Sequence, residues 1–496
     1  MSNITNDTLE LIKKAQNYSQ DQIAKSITTA NNLAAYDLQA PAKNLYPVQT
    51  PIRNTLPRTT GIGTATNWRT INSIVGSGFD GSGWVPEGQR SGRMSYVTNS
   101  LSASFKTIGE EDQASYEAIN AGRGFEDIRA RMTMRLLQKL MLKEESAIIG
   151  GNQSVSLATP AAPTLTVGAT GGTVVAGTYF AYVVALTYEG YRNSSAIAVA
   201  TSQTITGADG LTFALAGGSS ALSAASSSQA VTLGQTLRMS TPVVNGAVAY
   251  AWYVTLTPAS TATAYLQGIT TLNSLEITAP IIGTGTQLAS AITANNTVNS
   301  LAFNGLLYQG FTSGSGAYVK SLATGTAGAG TPLTSSGRGS VEEIDDMLIS
   351  MWNQNQLSPT VIYCNAQEIR NISKKVLIGN TTPMVRYNVG ENASSMQLAA
   401  SPFVDTYFNP ITKQPLRIEV HPNVPPGTIL AWADDLPAQY QSSEVPNVAE
   451  IRARQDYYQI DWPVTSRQQA VGVYCEEVLV VYAPFAIGII NNIANS

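Results

Sequence analysis

Histidine, cysteine and charge are all scarce in this chain of 496 residues, which has one histidine, two cysteines and 12% charged side chains. A Ser-His-Asp triad or a histidine-rich metal site would have to use His421 or nothing. Cys364 and Cys475 lie too far apart in sequence for a C-x-x-C pair, and two thiols make no disulfide framework. Both are expected to be small buried strand residues. Basic and acidic side chains number 29 and 33, for a net charge of −4, so bulk charge does not hold this chain to nucleic acid. No run reaches the roughly 18 apolar residues of a membrane span. The opening Met1–Lys14 lacks the basic and apolar regions of a signal peptide, and a cytosolic product is expected.

Charge is also unevenly spread. Residues 155–300 contain only Glu189, Arg192, Asp209, Arg238 and Glu276, whereas the other 350 residues carry 57 charges. The poor stretch is Ser, Thr, Ala and Gly with strand-like runs at 178–187, 249–256 and 274–278. Several short strands between Gly and Pro punctuation predict a β-sandwich that forms a domain of its own.

The flanks predict an α+β protein. Residues 5–35 read as a polar, loosely amphipathic helix. Four prolines, Pro41, Pro47, Pro51 and Pro57, predict an extended arm over 40–60. Residues 61–108 alternate around the glycine-rich 76–83, which predicts a long two-stranded hairpin. Phe125, Ile128, Met132, Leu136 and Leu140 recur at steps of three and four, with Glu126 and Asp127 in the first turn and Gly150-Gly151 as the stop. Ser340-x-x-Glu343 predicts a capping box opening a second helix. Thr360–Cys364 reads as a buried strand, Asn365-x-x-Glu368 as the cap of a third helix, and 451–460, 470–474 and 478–482 as closing strands.

No active site assembles from these residues, so the chain is read as no enzyme and no cofactor is expected. Gly76-x-Gly78-x-x-Gly81 has the text of a dinucleotide fingerprint, but Ser82-Gly83-Trp84-Val85-Pro86 follows where a helix must begin. The acid pairs Glu342-Glu343, Asp345-Asp346 and Asp434-Asp435 read as solvated or capping positions. His421, at a strand end before Pro422, reads as structural or surface.

The order of these parts resembles the major capsid protein of tailed bacteriophages, the Hong Kong 97 type fold. The residues that carry it are Leu45–Asn54 in the arm, Trp84-Val85-Pro86-Glu87-Gly88 on the hairpin, the long helix with Glu144–Asn152 at its close, and Phe303-Asn304-Gly305-Leu306-Leu307. The resemblance covers 40–154 and 301–496; the charge-poor stretch between the last two motifs looks like an inserted immunoglobulin-like domain. By this resemblance 1–60 is the N-terminal arm, 61–108 the E-loop lying over a neighbouring subunit, 109–154 with 449–496 the peripheral domain with its spine helix, and 301–448 the axial domain. It implies a structural protein of the virion, assembled in the host cytoplasm from copies of itself as pentamers and hexamers. Scaffolding, portal and decoration proteins are the further partners implied, around double-stranded DNA bound without sequence specificity and with no membrane. Candidate interface residues are Trp68, Phe79, Trp84, Glu87, Arg90, Arg93 and Tyr96, because an isolated two-stranded ribbon is marginal in water; packing of its aromatic residues within the chain is the other reading. A cell-surface or surface-layer adhesin with an immunoglobulin-like module is the alternative.

Some shells of this type are welded by a lysine–asparagine isopeptide bond from the hairpin. This hairpin has Arg69, Arg90 and Arg93 but no lysine before Lys106 at its base. Denaturing gels of assembled particles are therefore expected to show monomer alone, and a ladder of covalent multimers would overturn that expectation.

Overall fold

The computed structural model describes residues 46–75, 84–123, 126–335, 339–377, 386–388, 397–399, 404, 406–436 and 447–495. The expected helix at 5–35 lies outside them. The chain divides into two units, one of Met1–Pro47 with Ala114–Arg131, the other of Val48–Gln113 with Met132–Ser496. In the first, helix Tyr116–Ala121 is capped by the Ser115 hydroxyl, which accepts the Ala118 N–H. Asp127 Oδ1 accepts the Arg129 and Ala130 N–H groups at the start of the long helix, Ile128–Gly150. Glu126, expected in that first turn, instead precedes the helix and pairs with Arg131.

Within the larger unit the long helix buries the periodic stripe Met132, Leu136, Leu140 and Ile148. It stops at Gly150-Gly151, where close packing admits only glycine. A Cβ on Gly150 would collide with the Tyr188 ring, and one on Gly151 with the Phe303 carbonyl.

A six-stranded mixed sheet forms the main core. Its order is Tyr318–Ser321, Ile487–Asn491, Ile429–Trp432, Val361–Cys364, Pro415–Val420, Thr406–Phe408. Helix Glu342–Asn355 turns Ile344, Met347, Leu348 and Met351 into that core. The helix predicted after Asn365 is there as Ala366–Leu377, and Asn365 Oδ1 accepts the Gln367 N–H at its start. The Ser340–Glu343 capping box does not form. Val341 occupies the N-cap, and the buried Glu343 carboxylate takes the Thr334 N–H at 2.9 and 3.1 Å instead.

A second sheet has the order Arg58–Thr60, Ala449–Asp461, Gln468–Val481, Lys106–Ser115. The strands expected at 470–474 and 478–482 are one continuous strand, because Cys475 and Glu477 are buried and keep the alternation through the polar interruption. The arm is not extended throughout either: Pro51–Thr55 is a helical turn with Pro51 at its start, where a missing N–H costs nothing. Cys364 and Cys475 are free and buried.

Residues 155–300 build a hairpin, Ser202–Thr206 with Thr212–Ala216, and two larger sheets. One runs Ser274–Ile277, Thr236–Ser240, Thr164–Gly168; the other Tyr265–Thr270, Ala249–Leu256, Gly177–Leu186, Gln229–Val231. Tyr179, Val183, Tyr250 and Trp252 pack against Leu237 and Met239 between them. The far side of the four-stranded sheet is also covered, since Tyr182, Val184, Ala251 and Tyr253 pack with Val199, Ala264, Ala289 and Ile292. A strand buried on both faces has no polar alternation, which is why 178–186 and 249–254 read as unbroken apolar runs.

The outer edge of Gly177–Leu186 is closed by serines. Ser220, Ser223 and Ser226 each send a backbone N–H to the carbonyl of Ala185, Val183 and Ala181 respectively. Each hydroxyl accepts the N–H of the same residue at 2.9 Å. Three residues of the serine segment thus advance for every two of the strand, and side chains replace the backbone acceptors that a regular strand would supply. Ser223→Ala is expected to leave the buried Val183 N–H unpaired and to cost about 1–3 kcal/mol of unfolding free energy. The exposed Ser227→Ala should change little; equal denaturation midpoints for the two variants would refute the role.

Candidate functional site: an exposed ribbon and a buried carboxylate seat

The hairpin pairs Ala65–Val75 with Ser95–Ser104 in antiparallel register. Its root is tied to the body. Trp68 is half-buried with its ring edge-on to Tyr482 at 5.7 Å, Lys106 Nζ donates to the Ser300 carbonyl at 2.7 Å, and Gln153 Nε2 to Ser104 Oγ at 3.2 Å. A β-bulge follows: Ile71 opposes Thr98 and Ser73 opposes Val97, so Asn72 is the extra residue. With side chains alternating across a ribbon, the bulge puts Ile71 and Ile74 on one face, together with Tyr96 opposite Ile74. These three are 64%, 63% and 53% exposed. The face is apolar, and nothing among the described residues covers it.

Of the seven interface candidates, Trp84, Glu87, Arg90, Arg93 and Tyr96 are exposed along 84–96, and Trp84 is 82% exposed. Glu87 sits in a turn closed by the Gln89 N–H on the Pro86 carbonyl, with Gly88 at φ 79 where a side chain would be strained. Trp68 turns inward instead and takes no part in the exposed face. Phe79 lies outside the described residues. Sequence reading missed Ile71, Ile74 and the exposed Met94, because an inserted residue resets the alternation and a bulge leaves no mark in composition.

A second cluster was also missed. Glu144, Glu145 and Glu477 are fully buried. Glu145 closes the start of the arm's helical turn: Oε1 accepts the Ile52 N–H at 3.0 Å and Oε2 the Arg53 N–H at 2.7 Å. The same Oε1 meets His421 Nε2 at 2.6 Å. His421 Nδ1 accepts the Asn423 N–H at 3.1 Å, so the ring proton sits on Nε2 and is donated to Glu145. His421 is thereby structural.

Glu144 accepts from Arg53 Nε at 2.7 Å, from Arg58 Nη1 and from the Tyr457 hydroxyl. Arg58 Nη2 reaches Glu477 at 2.9 Å and Asp456 at 2.7 Å. Both guanidinium groups lie over the Tyr457 ring, at 5.2 and 4.9 Å from its centroid. Burial and the nearby Glu144 charge push the Glu477 carboxyl up to about 8. Burial likewise raises the Tyr457 hydroxyl, and the carboxylates around Arg58 raise its guanidinium further against the opposing effect of burial. The sequence did carry one signal: Met132, Leu136 and Leu140 recur every four residues, and Glu144 is the next position of that buried stripe.

No family model and no curated protein matches the chain by sequence. Solved structures do resemble it. The holo-SrpI encapsulin complex of Synechococcus elongatus PCC 7942 is 8% identical over 94% of this chain and 95% of that one, with a TM-score of 0.41. The capsid of a native GTA particle is 9% identical over 95% and 99%, with a TM-score of 0.42. The capsid of Myoviridae phage XM1 is 9% identical over 94% and 99%, with a TM-score of 0.41.

The seat has a measurable consequence. Glu144→Ala would leave two guanidiniums without their shared buried partner, and a loss of about 3–5 kcal/mol in denaturant unfolding is expected. The exposed Asp112→Ala should stay within about 0.5 kcal/mol of the parent. Similar losses for the two would show that the seat holds nothing.

Proposed function

We propose that the chain is the subunit of a closed icosahedral shell of the tailed-phage major capsid kind, with no catalytic role. In this reading the hairpin over 61–108 is the E-loop, and Ile128–Gly150 is the spine helix of a peripheral domain made of 109–154 and 449–496. Residues 301–448 form the axial domain, and 155–300 an immunoglobulin-like domain set between spine and axial parts. The observation that carries the reading is the outer half of the hairpin. A two-stranded ribbon with Ile71, Ile74, Tyr96 and Trp84 exposed is marginal alone and gains stability by lying on another copy. The position of the insert has independent support. Gly151 and Asn152, just before it, meet the chain where it leaves: the Asn152 carbonyl accepts the N–H of Asn299, at the insert's far end, at 2.9 Å, and the Gly151 carbonyl that of Gly305, just after it, at 2.8 Å.

Assembly rather than chemistry follows from this surface. A net charge of −4 suits a wall that encloses double-stranded DNA without gripping it, since each phosphate contact would add a salt-dependent bond. Pentamers and hexamers of this one chain, with scaffolding, portal and decoration proteins, are the partners of such a wall, and a virion formed in the host cytoplasm is its place.

The test is expression of the full chain, alone and with its scaffold, followed by electron microscopy. Closed shells are expected. A triple variant, Ile71→Ser, Ile74→Ser and Trp84→Ser, should melt within a few degrees of the parent yet form no shells. Persistent monomer of the parent under both conditions, or parental shell yield from the variant, would sink the proposal.

A further inference from the structure

The buried seat of the arm carries more negative charge than its arginines can balance. Three carboxylates, Glu144, Glu145 and Glu477, have fully buried side chains, and among the described residues only Arg53 and Arg58 oppose them at contact distance. Asp456, also on Arg58, is 57% exposed and is left to solvent. His421 adds no charge, because its Nδ1 accepts the Asn423 N–H and only Nε2 bears a proton. An excess buried charge is expensive, and such a site relieves it by holding a proton.

The geometry says where that proton sits. Both oxygens of Glu145 are engaged by donors, and so are both oxygens of Glu144. Glu477 meets Arg58 through Oε2 alone, while its Oε1 is buried and takes no donor among the described residues, and the Glu144 carboxyl lies within hydrogen-bond reach of the Glu477 carboxyl, ready to accept a proton from it. The groups facing Glu477 are Glu144 from the long helix, Arg58 from the arm strand, Asp456 from the neighbouring strand, and the buried Cys475 thiol from its own strand.

We propose that Glu477 is held protonated in the folded chain and that this proton latches the arm, 50–61, onto the body, so that losing it loosens the arm. The consequence follows by linkage. When the arm lifts, Arg58 and its neighbours leave, water enters, and the Glu477 carboxyl returns towards its ordinary value of 4.5. The closed state therefore binds one more proton than the open state between pH 4.5 and about 8. Closure is fully favoured below that window, is lost as pH rises through it, and is constant above it. One proton gives at most about a tenfold change in the opening equilibrium per pH unit.

The test is hydrogen exchange on the full-length chain from pH 5 to 9, corrected for intrinsic rates. The reporters are the Ile52 and Arg53 amides, which donate to Glu145, and the Gly61 amide, which donates to the Ala453 carbonyl. Their protection should fall up to about tenfold per pH unit, then level off above pH 8. In Glu477→Gln, which is neutral at every pH, protection should not depend on pH. A flat parental profile, or an equally steep one in the variant, would overturn the proposal. Should the variant fail to fold, infrared spectroscopy of the parent decides alone. A protonated-carboxyl band is expected at pH 7 and should vanish at pH 9, and its absence at pH 7 would refute the latch. None of these outcomes depends on shell formation.

Discussion

Two adjacent carboxylates at the end of one helix set where four parts of the chain meet. Glu145 accepts two backbone N–H groups of the arm and the ring of His421 from beside the six-stranded sheet. Glu144 collects Arg53 and Arg58 from the arm and Tyr457 from the second sheet. Apolar contacts alone would allow the arm to slide, since they are indifferent to register. Hydrogen bonds to fixed carboxylates are not. They place Arg58 beside Ile451, so that the arm strand runs parallel to its partner from Arg58 to Thr60. Burying these charges is costly, and their worth lies in position more than in stability.

The body and the charge-poor stretch are less separate than composition suggests. Tyr188 and Val248, both within 155–300, belong to the main core rather than to the core between their own sheets. Tyr308 of the main body takes the Tyr188 N–H on its hydroxyl at 2.8 Å. Farther along, the buried Asn492 side chain takes the Asn273 backbone N–H on Oδ1 at 2.9 Å and donates from Nδ2 to Asn273 Oδ1 at 3.0 Å. The drop in charge marks where the chain enters and leaves this region, while Tyr188 and Val248 carry part of its apolar packing into the main core. Low charge is itself explained by the serines at 220, 223 and 226. An edge that side-chain hydroxyls have closed needs no lysine to keep other strands away.

What could be read from the sequence depended on whether a residue's neighbours were near in the chain. The long helix, its glycine stop, the hairpin and the strands at 178–187 and 249–256 were legible because local periodicity encodes them. The helical turn at Pro51 was not, because its N–H groups are satisfied by Glu145, 93 positions away from Ile52. The same holds for the capping box that Glu343 abandons for Thr334. At the ribbon, Trp84 and Tyr96 were found as large apolar residues on a long hairpin, and Trp68 was grouped with them. Only the Tyr482 contact separates it.

That separation matters to how the ribbon can act. Below the bulge, Trp68 and Thr66 fix the root to the body; above it, the extra residue turns Ile71 and Ile74 to one side with Tyr96. A continuous ladder would have placed Ile71 and Ile74 on opposite faces, each too small to hold a partner. Full burial of one such side chain is worth about 1.5–3 kcal/mol, so a few partly exposed ones offer only a modest gain per contact against the cost of association. A rigid root lowers that cost, because the ribbon need not be ordered when it docks. In the proposed shell, weak contacts of this kind, repeated once per copy, would let a misplaced subunit leave, while a closed arrangement in which every copy both gave and received a ribbon would hold all of them together.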